Sequence, residues 1–114
     1  MIEIYHNPKC SKSRQSVSYL EQKQVQFKTV LYLQETLTKE QITELLTKLQ
    51  IPAEALVRKN EAIWKEKYKD KILSSEQIID LMVMHPNLIE RPIIVKGNRA
   101  VIGRPVENID LLLD

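Results

Sequence analysis

The chain has 114 residues, of which 43% are hydrophobic and 28% charged, a composition typical of one globular domain and unlike that of a disordered chain. Its formal net charge is only +2 and it has no polybasic tract, so we expect no nucleic-acid partner. No apolar run approaches the length of a membrane span, and no signal peptide is evident. With a single cysteine, which cannot form an internal disulfide, these features predict a cytoplasmic protein without membrane contact.

Hydrophobic periodicity predicts two strands and a helix at the start of the chain. The apolar run 2–5 is typical of a buried strand, and residues 25–33 alternate apolar and polar side chains as a second strand does. Residues 11–24 have the apolar spacing of a helix. Because a strand–helix–strand unit joins parallel strands, we expect these two strands to be parallel.

Capping signals predict two helices in the middle of the chain. Thr38 and Ser74 each begin a capping box, with a glutamine three residues later. The first helix is expected to end before Pro52 and the second before Pro86, because proline disfavours the helical conformation of the residue before it. The pattern over residues 53–70 is helical but uneven, with a polar break.

The last part of the chain predicts a hairpin and a final helix. Gly97-Asn98 is a turn signal between the strand-like runs 93–96 and 99–102, and Pro105 suits the first position of a helix. The resulting fold class is α/β, a thioredoxin-like fold with a four-stranded mixed sheet flanked by helices and a helical insertion. We expect residues 1–114 to form a single domain.

The turn between the first strand and the first helix contains the only cysteine, Cys10. At a helix start, unpaired N–H groups and the helix dipole favour the thiolate, and Lys9, Lys12 and Arg14 add positive charge. The same N–H groups can bind an oxyanion. A lone cysteine is more often a small buried hydrophobe, but the nearby cations and Asn7-Pro8 favour a reactive residue here.

Four short blocks, spread over nearly the whole chain, are similar to the motifs of one family. In chain order they are Tyr5-His6-Asn7-Pro8-x-Cys10-x-x-Ser13-Arg14, Leu56-x-Arg58-Lys59-Asn60, His85-Pro86-x-Leu88-Ile89-x-Arg91-Pro92-Ile93 and Gly103-Arg104-Pro105. Together they resemble the glutaredoxin-dependent arsenate reductase family (ArsC/Spx type) of the thioredoxin superfamily. The resemblance implies that arsenate is reduced to arsenite through a single cysteine thiolate.

By this resemblance Cys10 is the nucleophile, and Arg58, Arg91 and Arg104 bind the oxyanion. Arginine suits this role because its planar fork donates two hydrogen bonds and keeps its charge. Most arginines are simply solvated surface charges. That alternative is weaker for Arg91 and Arg104, because each precedes a proline that restricts the backbone.

The resemblance implies supporting roles for four further residues. Ser13 and Arg14 match family positions at the start of the first helix, and Pro92 matches a cis-proline. Most X-Pro bonds are trans, so the cis expectation rests on the resemblance alone. His6 is similar to a histidine that helps to ionise the cysteine; its spacing leaves open whether it stabilises the thiolate when protonated or hydrogen-bonds the loop backbone.

A single cysteine must borrow a thiol to complete the reaction, so the resemblance implies glutathione as co-substrate and glutaredoxin as partner, with no bound cofactor. We expect no metal, because the cysteine and the two histidines lack ligand spacing. Two other functions remain: a thiol-stress transcription regulator that binds RNA polymerase, and a general glutathione-dependent thiol oxidoreductase. A regulator of this kind usually carries a Cys-x-x-Cys switch, and Ser13 at the position of its second cysteine disfavours that function. A general thiol oxidoreductase has no need of three arginines.

Overall fold

The computed structural model describes residues 1–113. Its strands are β1 (Ile2–Tyr5), β2 (Phe27–Val30), β3 (Ile93–Lys96) and β4 (Arg99–Ile102). Its α-helices are α1 (Ser11–Gln22), α2 (Lys39–Leu49), α3 (Ala62–Lys67) and α4 (Ser75–Met84). Three short 3₁₀ helices span Ala53–Leu56, Pro86–Leu88 and Val106–Leu112.

The chain divides into two compact units. One contains Met1–Glu35 and the segment that begins at Arg91, and the other contains Thr36–Glu90. The first unit holds the whole sheet with α1, and the second holds α2, α3 and α4. The expectation of a single domain over residues 1–114 stays a prediction.

The first unit is built on one mixed sheet with the strand order β2-β1-β3-β4. β1 and β2 are parallel, as the intervening helix predicts, and the other two pairs are antiparallel. The β3–β4 hairpin turns at Gly97, whose φ of 61° suits a residue without a side chain. The expected α/β fold with a four-stranded mixed sheet is therefore confirmed.

One face of this sheet packs against α1 and the final 3₁₀ helix. The buried side chains at this contact are Ile2, Ile4, Leu20, Ile94, Ile109 and Leu112. Burial of each aliphatic side chain contributes about 1.5–3 kcal/mol, so this cluster fixes α1 firmly on the sheet. The start of α1, where Cys10 lies, is thereby held at one edge of the unit.

Both predicted capping boxes are confirmed in the second unit. The Thr38 hydroxyl accepts from the N–H of Gln41 at 3.1 Å, and the Gln41 side chain accepts from the N–H of Thr38 at 2.8 Å. Ser74 and Gln77 repeat the arrangement at the start of α4, with the same two distances. Each box satisfies two backbone donors that the helix itself leaves without partners.

Two predicted elements at the start of the chain are too long. The helix predicted over 11–24 ends at Gln22, and Gln24 has a φ of 57°. The strand predicted over 25–33 is only Phe27–Val30, because the chain then forms a turn that is closed by hydrogen bonds to the carbonyl of Leu31. Beyond the strand, Tyr32 is buried and Leu33 is exposed, which is the opposite of the burial that the predicted alternation implies.

The last helix is a 3₁₀ helix, and Pro105 precedes it instead of occupying its first position. Pro105 has an extended backbone, with φ of −68° and ψ of 162°. The apolar residues Val106, Ile109 and Leu112 are three apart, and three residues per turn bring them onto one face. The pattern taken for an α-helix is thus explained by the tighter helix.

Gly103 follows β4 at a point where the backbone approaches its neighbours closely. A Cβ there would lie 2.7 Å from Oγ of Ser16, 2.9 Å from Cδ1 of Ile94 and 3.0 Å from Cγ of Pro92. The Gly103 N–H also donates to the carbonyl of Pro92 at 2.9 Å. Only glycine lets this segment lie so near α1 and the residues before β3.

We therefore expect Gly103→Ala to destabilise the protein by about 1–3 kcal/mol, the usual cost of overpacking. The Oγ of Ser16 is buried without a hydrogen-bond partner among residues 1–113. Ser16→Ala should thus cost less than about 1 kcal/mol alone, and should recover part of the loss in the double variant. Urea unfolding of the four proteins measures these values. Equal losses from Gly103→Ala with and without Ser16 would contradict the contact.

Candidate active site

Cys10 lies in the loop between β1 and α1, at the N-cap of α1, with an extended backbone and a half-buried side chain. Its N–H donates to the carbonyl of Asn7 at 3.0 Å, and its carbonyl accepts from the N–H of Arg14 at 3.0 Å. The buried Asn7 side chain accepts from the N–H of Lys9 at 3.0 Å, a turn in which an asparagine side chain replaces a backbone acceptor. The loop therefore presents the sulfur at the open end of the helix.

The ionisation of Cys10 is set by opposing effects. Burial raises the pKa of the thiol, but hydrogen bonds from the N–H of Ser13, the Arg91 side chain and the N–H of Lys12, with the charge of Arg91, lower it to about 7. Thiolate is therefore present in quantity at neutral pH. The sequence predicted a lowered pKa from the N–H groups at the helix start and from the side chains of Lys9, Lys12 and Arg14. The N–H groups of Ser13 and Lys12 do contribute, but the side-chain contribution comes from Arg91 and not from the three predicted cations.

Sheet register explains why distant residues meet at this cysteine. Tyr5 at the end of β1 pairs with Ile93 at the start of β3, and Ile93 pairs with Ile102 at the end of β4. The loop that follows β1, the residue before Pro92 and the segment after β4 therefore lie at one edge of the sheet. Cys10, Arg91 and Arg104 occupy these three connections.

Arg91 and Arg104 form a linked pair beside the sulfur. The Nη2 of Arg104 lies 3.4 Å from Sγ of Cys10, and its Nε donates to the carbonyl of Arg91 at 2.7 Å. The peptide bond between Arg91 and Pro92 is cis, as the resemblance implies, and so is the bond between Arg104 and Pro105. Two of the three predicted arginines thus converge on the predicted nucleophile.

Asn108 is a positioning residue that the sequence reasoning missed. Its Nδ2 donates to the carbonyl of Ile102 at 3.0 Å and to that of Arg104 at 3.2 Å. One side chain therefore fixes the backbone on both sides of Gly103. An asparagine inside a predicted helix carries no sign of this role in the sequence.

Hydrogen bonds of Ser13 and His6 stabilise the loop that contains Cys10. The Ser13 hydroxyl is fully buried, lies 2.6 Å from Nδ1 of His6 and accepts from the N–H of Asn7 at 3.0 Å. Burial, and then the charge of Arg14, lower the pKa of His6, so its imidazole is neutral at neutral pH. The lowered pKa does not favour a protonated His6 beside the thiolate, and the hydrogen-bond partner of its Nδ1 is the Ser13 hydroxyl. The supporting role of His6 stays a prediction.

Arg14 also acts on the loop. Its Nη1 donates to the carbonyl of Pro8 at 2.8 Å, and the side chain is exposed. This bond ties the first turn of α1 to the segment before Cys10. In this structure Arg14 supports the loop through this hydrogen bond to its backbone.

Arg58 belongs to the second unit. Its N–H donates to the carbonyl of Leu88 at 2.7 Å, beside an antiparallel bridge between Val57 and Ile89. The side chain is only 16% exposed, and its Nε lies 4.0 Å from a carboxylate oxygen of Glu61 and from one of Glu90. Nε and Nη1 are buried with no hydrogen-bond partner among residues 1–113. Participation of Arg58 in the oxyanion site stays a prediction.

Within residues 1–113, no group of three or more His, Cys, Asp or Glu side chains could hold a metal ion. None of the helices in this part of the chain is long and apolar enough to span a membrane.

The contribution of Arg91 to the Cys10 pKa can be measured by alkylation with iodoacetamide. The rate should rise with pH through a midpoint of about 7, because only the thiolate reacts. Arg91→Ala removes a hydrogen bond and a positive charge, so its midpoint should move to higher pH. Arg99→Ala, which removes an exposed arginine of β4, is the matched control and should leave the midpoint unchanged. A midpoint that is the same in all three proteins would contradict the role of Arg91.

Comparisons with known proteins give one family. The model described as ArsC family matches residues 5–112. The uncharacterized protein YfgD of Escherichia coli K12 is 41% identical over 95% of this chain and 92% of its own length. An arsenate reductase of Haemophilus influenzae is 37% identical over 93% of each chain. The solved structure of an arsenate reductase from Vibrio cholerae has a TM-score of 0.92 at 37% identity, over 96% of this chain and 95% of that one.

Proposed function

Because the chain belongs to the ArsC family, we propose that it is an arsenate reductase in which Cys10 attacks the arsenic atom. One observation carries this proposal: the sulfur of a cysteine with a pKa of about 7 lies 3.4 Å from the guanidinium of Arg104 and accepts a hydrogen bond from Arg91. A nucleophile and two donors for an oxyanion thus occupy the same place. Relatives that bear the name arsenate reductase support arsenate as the oxyanion.

In the first step, the Cys10 thiolate forms a sulfur–arsenic bond and displaces a hydroxyl group of arsenate, which leaves as water after protonation. Negative charge on the arsenate oxygens would otherwise repel the approaching thiolate. Arg91 and Arg104 reduce this repulsion, because guanidinium groups donate paired hydrogen bonds to tetrahedral anions. The backbone N–H groups of Lys12 and Ser13 hold the sulfur during the attack.

The second step needs two electrons, because arsenic passes from the +5 to the +3 state. Two thiols supply these electrons, and we assign them to Cys10 and to glutathione. The glutathione thiol attacks the Cys10 sulfur of the adduct. The electron pair of the sulfur–arsenic bond stays on arsenic, which leaves as arsenite, and Cys10 becomes a mixed disulfide with glutathione. Glutaredoxin then attacks the glutathione sulfur and restores the Cys10 thiol. This chemistry suits a reducing compartment, so we place the protein in the cytoplasm.

The proposal is tested by arsenite formation in the presence of glutathione and glutaredoxin. Cys10→Ser should abolish turnover, because a hydroxyl stays protonated at neutral pH and cannot supply electrons to arsenic by forming a disulfide. Arg91→Ala should lower kcat/KM for arsenate by about 10²–10³, as loss of an oxyanion donor does. Arg91→Lys should recover only part of this loss, because an ammonium cannot replace the two-pronged fork. Arg99→Ala should keep full activity.

Arg58→Ala tests the third predicted arginine in the same assay. A loss comparable with that of Arg91→Ala would place Arg58 in the anion site, whereas wild-type turnover would leave it a structural residue. Turnover that persists without glutathione and glutaredoxin would contradict the assigned electron source. If the protein captures RNA polymerase and reduces no arsenate, the proposed reductase function is wrong and the protein is a regulator.

A further inference from the structure

The second unit contains a cavity of about 710 Å³ that no step of the proposed reaction uses. It lies between the 3₁₀ helix Ala53–Leu56, α3 and the start of α4. The cavity size falls within the range of small-molecule sites, which is about 300–1,000 Å³. Its lining residues are Glu54, Lys59, Trp64, Lys65, Lys69, Lys71, Ile72, Leu73 and Ile78.

The floor of this cavity is apolar. Trp64 and Ile78 are 7% and 5% exposed, so each presents only a small part of its side chain. Ile72, by contrast, is fully exposed and has no apolar cover of its own. An exposed isoleucine beside a buried tryptophan offers apolar surface that a ligand can cover, and removal of this surface from water favours binding.

The rim of the cavity is cationic. Of its four lysines, only Lys59 forms an ion pair among residues 1–113, with Glu54 at 2.7 Å. Lys65, Lys69 and Lys71 have no carboxylate within ion-pair distance in the same part of the chain. The single acidic group of the lining is thus already neutralised, and the remaining charge of the rim is positive.

The backbone gives these lysines a defined arrangement. The carbonyl of Trp64 accepts from the N–H groups of both Tyr68 and Lys69 at 2.9 Å, so the chain turns sharply after α3. The Tyr68 ring packs on Trp64 with 6.1 Å between centroids, and Nζ of Lys71 lies 5.6 Å over the Tyr68 ring. The Lys69 backbone and the Lys71 ammonium therefore lie beside the aromatic pair of Trp64 and Tyr68.

From the apolar floor and the unneutralised rim, we infer that this cavity binds an amphipathic organic anion, a carboxylate or phosphate attached to an aliphatic or aromatic tail. The tail covers Ile72 and the exposed edge of Trp64. The anionic head lies at Lys65 and Lys69, where charge-assisted hydrogen bonds from ammonium groups fix its orientation. A neutral molecule gains only the apolar part of this interaction, so the site selects anions.

Trp64 is the only tryptophan of the chain, so its fluorescence reports occupation of the cavity directly. The probe is decanoate below its micelle concentration, compared with decan-1-ol and with decyltrimethylammonium at equal concentration. Decanoate should change the Trp64 emission saturably, and added salt should weaken its binding because the contacts are ionic. The alcohol and the cation should bind about tenfold more weakly or not at all, as expected when a charged contact is missing.

The variant Lys65→Gln/Lys69→Gln should weaken decanoate binding about tenfold, since both head-group contacts are lost. Lys28→Gln/Lys96→Gln removes two exposed lysines of the first unit and is the control for net charge; its affinity should equal that of the wild type. Far-ultraviolet circular dichroism checks that both variants are folded, and the salt series on the wild type needs no variant. An equal response to decan-1-ol, no saturable change with decanoate, or equal weakening in the control variant would overturn the inference. Arsenate reduction plays no part in these measurements, so the result is independent of the proposed activity.

Discussion

The sulfur of Cys10 carries negative charge only because several donors converge on it. The N–H groups of Ser13 and Lys12 and the guanidinium of Arg91 outweigh the burial that disfavours charge. Arg104 adds a fourth donor at 3.4 Å. A pKa near the ambient pH is useful, because a thiolate is then plentiful and still a strong nucleophile. The same donors suit a tetrahedral oxyanion, so the proposed reaction assigns the nucleophile and the substrate to one set of groups.

The fold supplies this convergence through sheet register and close packing. β1, β3 and β4 end or begin at the same edge, so three connections that are far apart in the chain become neighbours. Gly103 allows the segment after β4 to lie against Ser16 and Pro92, and Asn108 holds the carbonyls on either side of it. Ser13 fixes the other side of the site by joining its hydroxyl to His6 and to the N–H of Asn7. Hydrogen bonds and close packing therefore hold the backbone around the reacting atoms.

The sequence predicted the order of the elements and the place of Cys10, because capping boxes, prolines and strand periodicity are local features. It predicted the end of β2 badly, since the alternation continues to Leu33 while the backbone already turns at Leu31. It predicted that N–H groups at the start of α1 lower the Cys10 pKa, but it did not predict the contribution of Arg91, because the reach of that side chain is set by tertiary structure. Asn108 and the contact of Ser16 with Gly103 give no local pattern, and only packing identifies them.

In the proposed reaction, Arg91 and Arg104 hold the Cys10 thiolate and the oxyanion with the same guanidinium groups. This claim can be tested by titrating the ultraviolet absorbance of the thiolate with and without sulfate, a tetrahedral anion that the cysteine does not reduce. Sulfate should raise the Cys10 pKa above about 7, because it takes donors from the sulfur and adds negative charge beside it, and Arg104→Ala should diminish the rise. A pKa that sulfate leaves unchanged, or that sodium chloride at equal ionic strength raises as much, would contradict the claim.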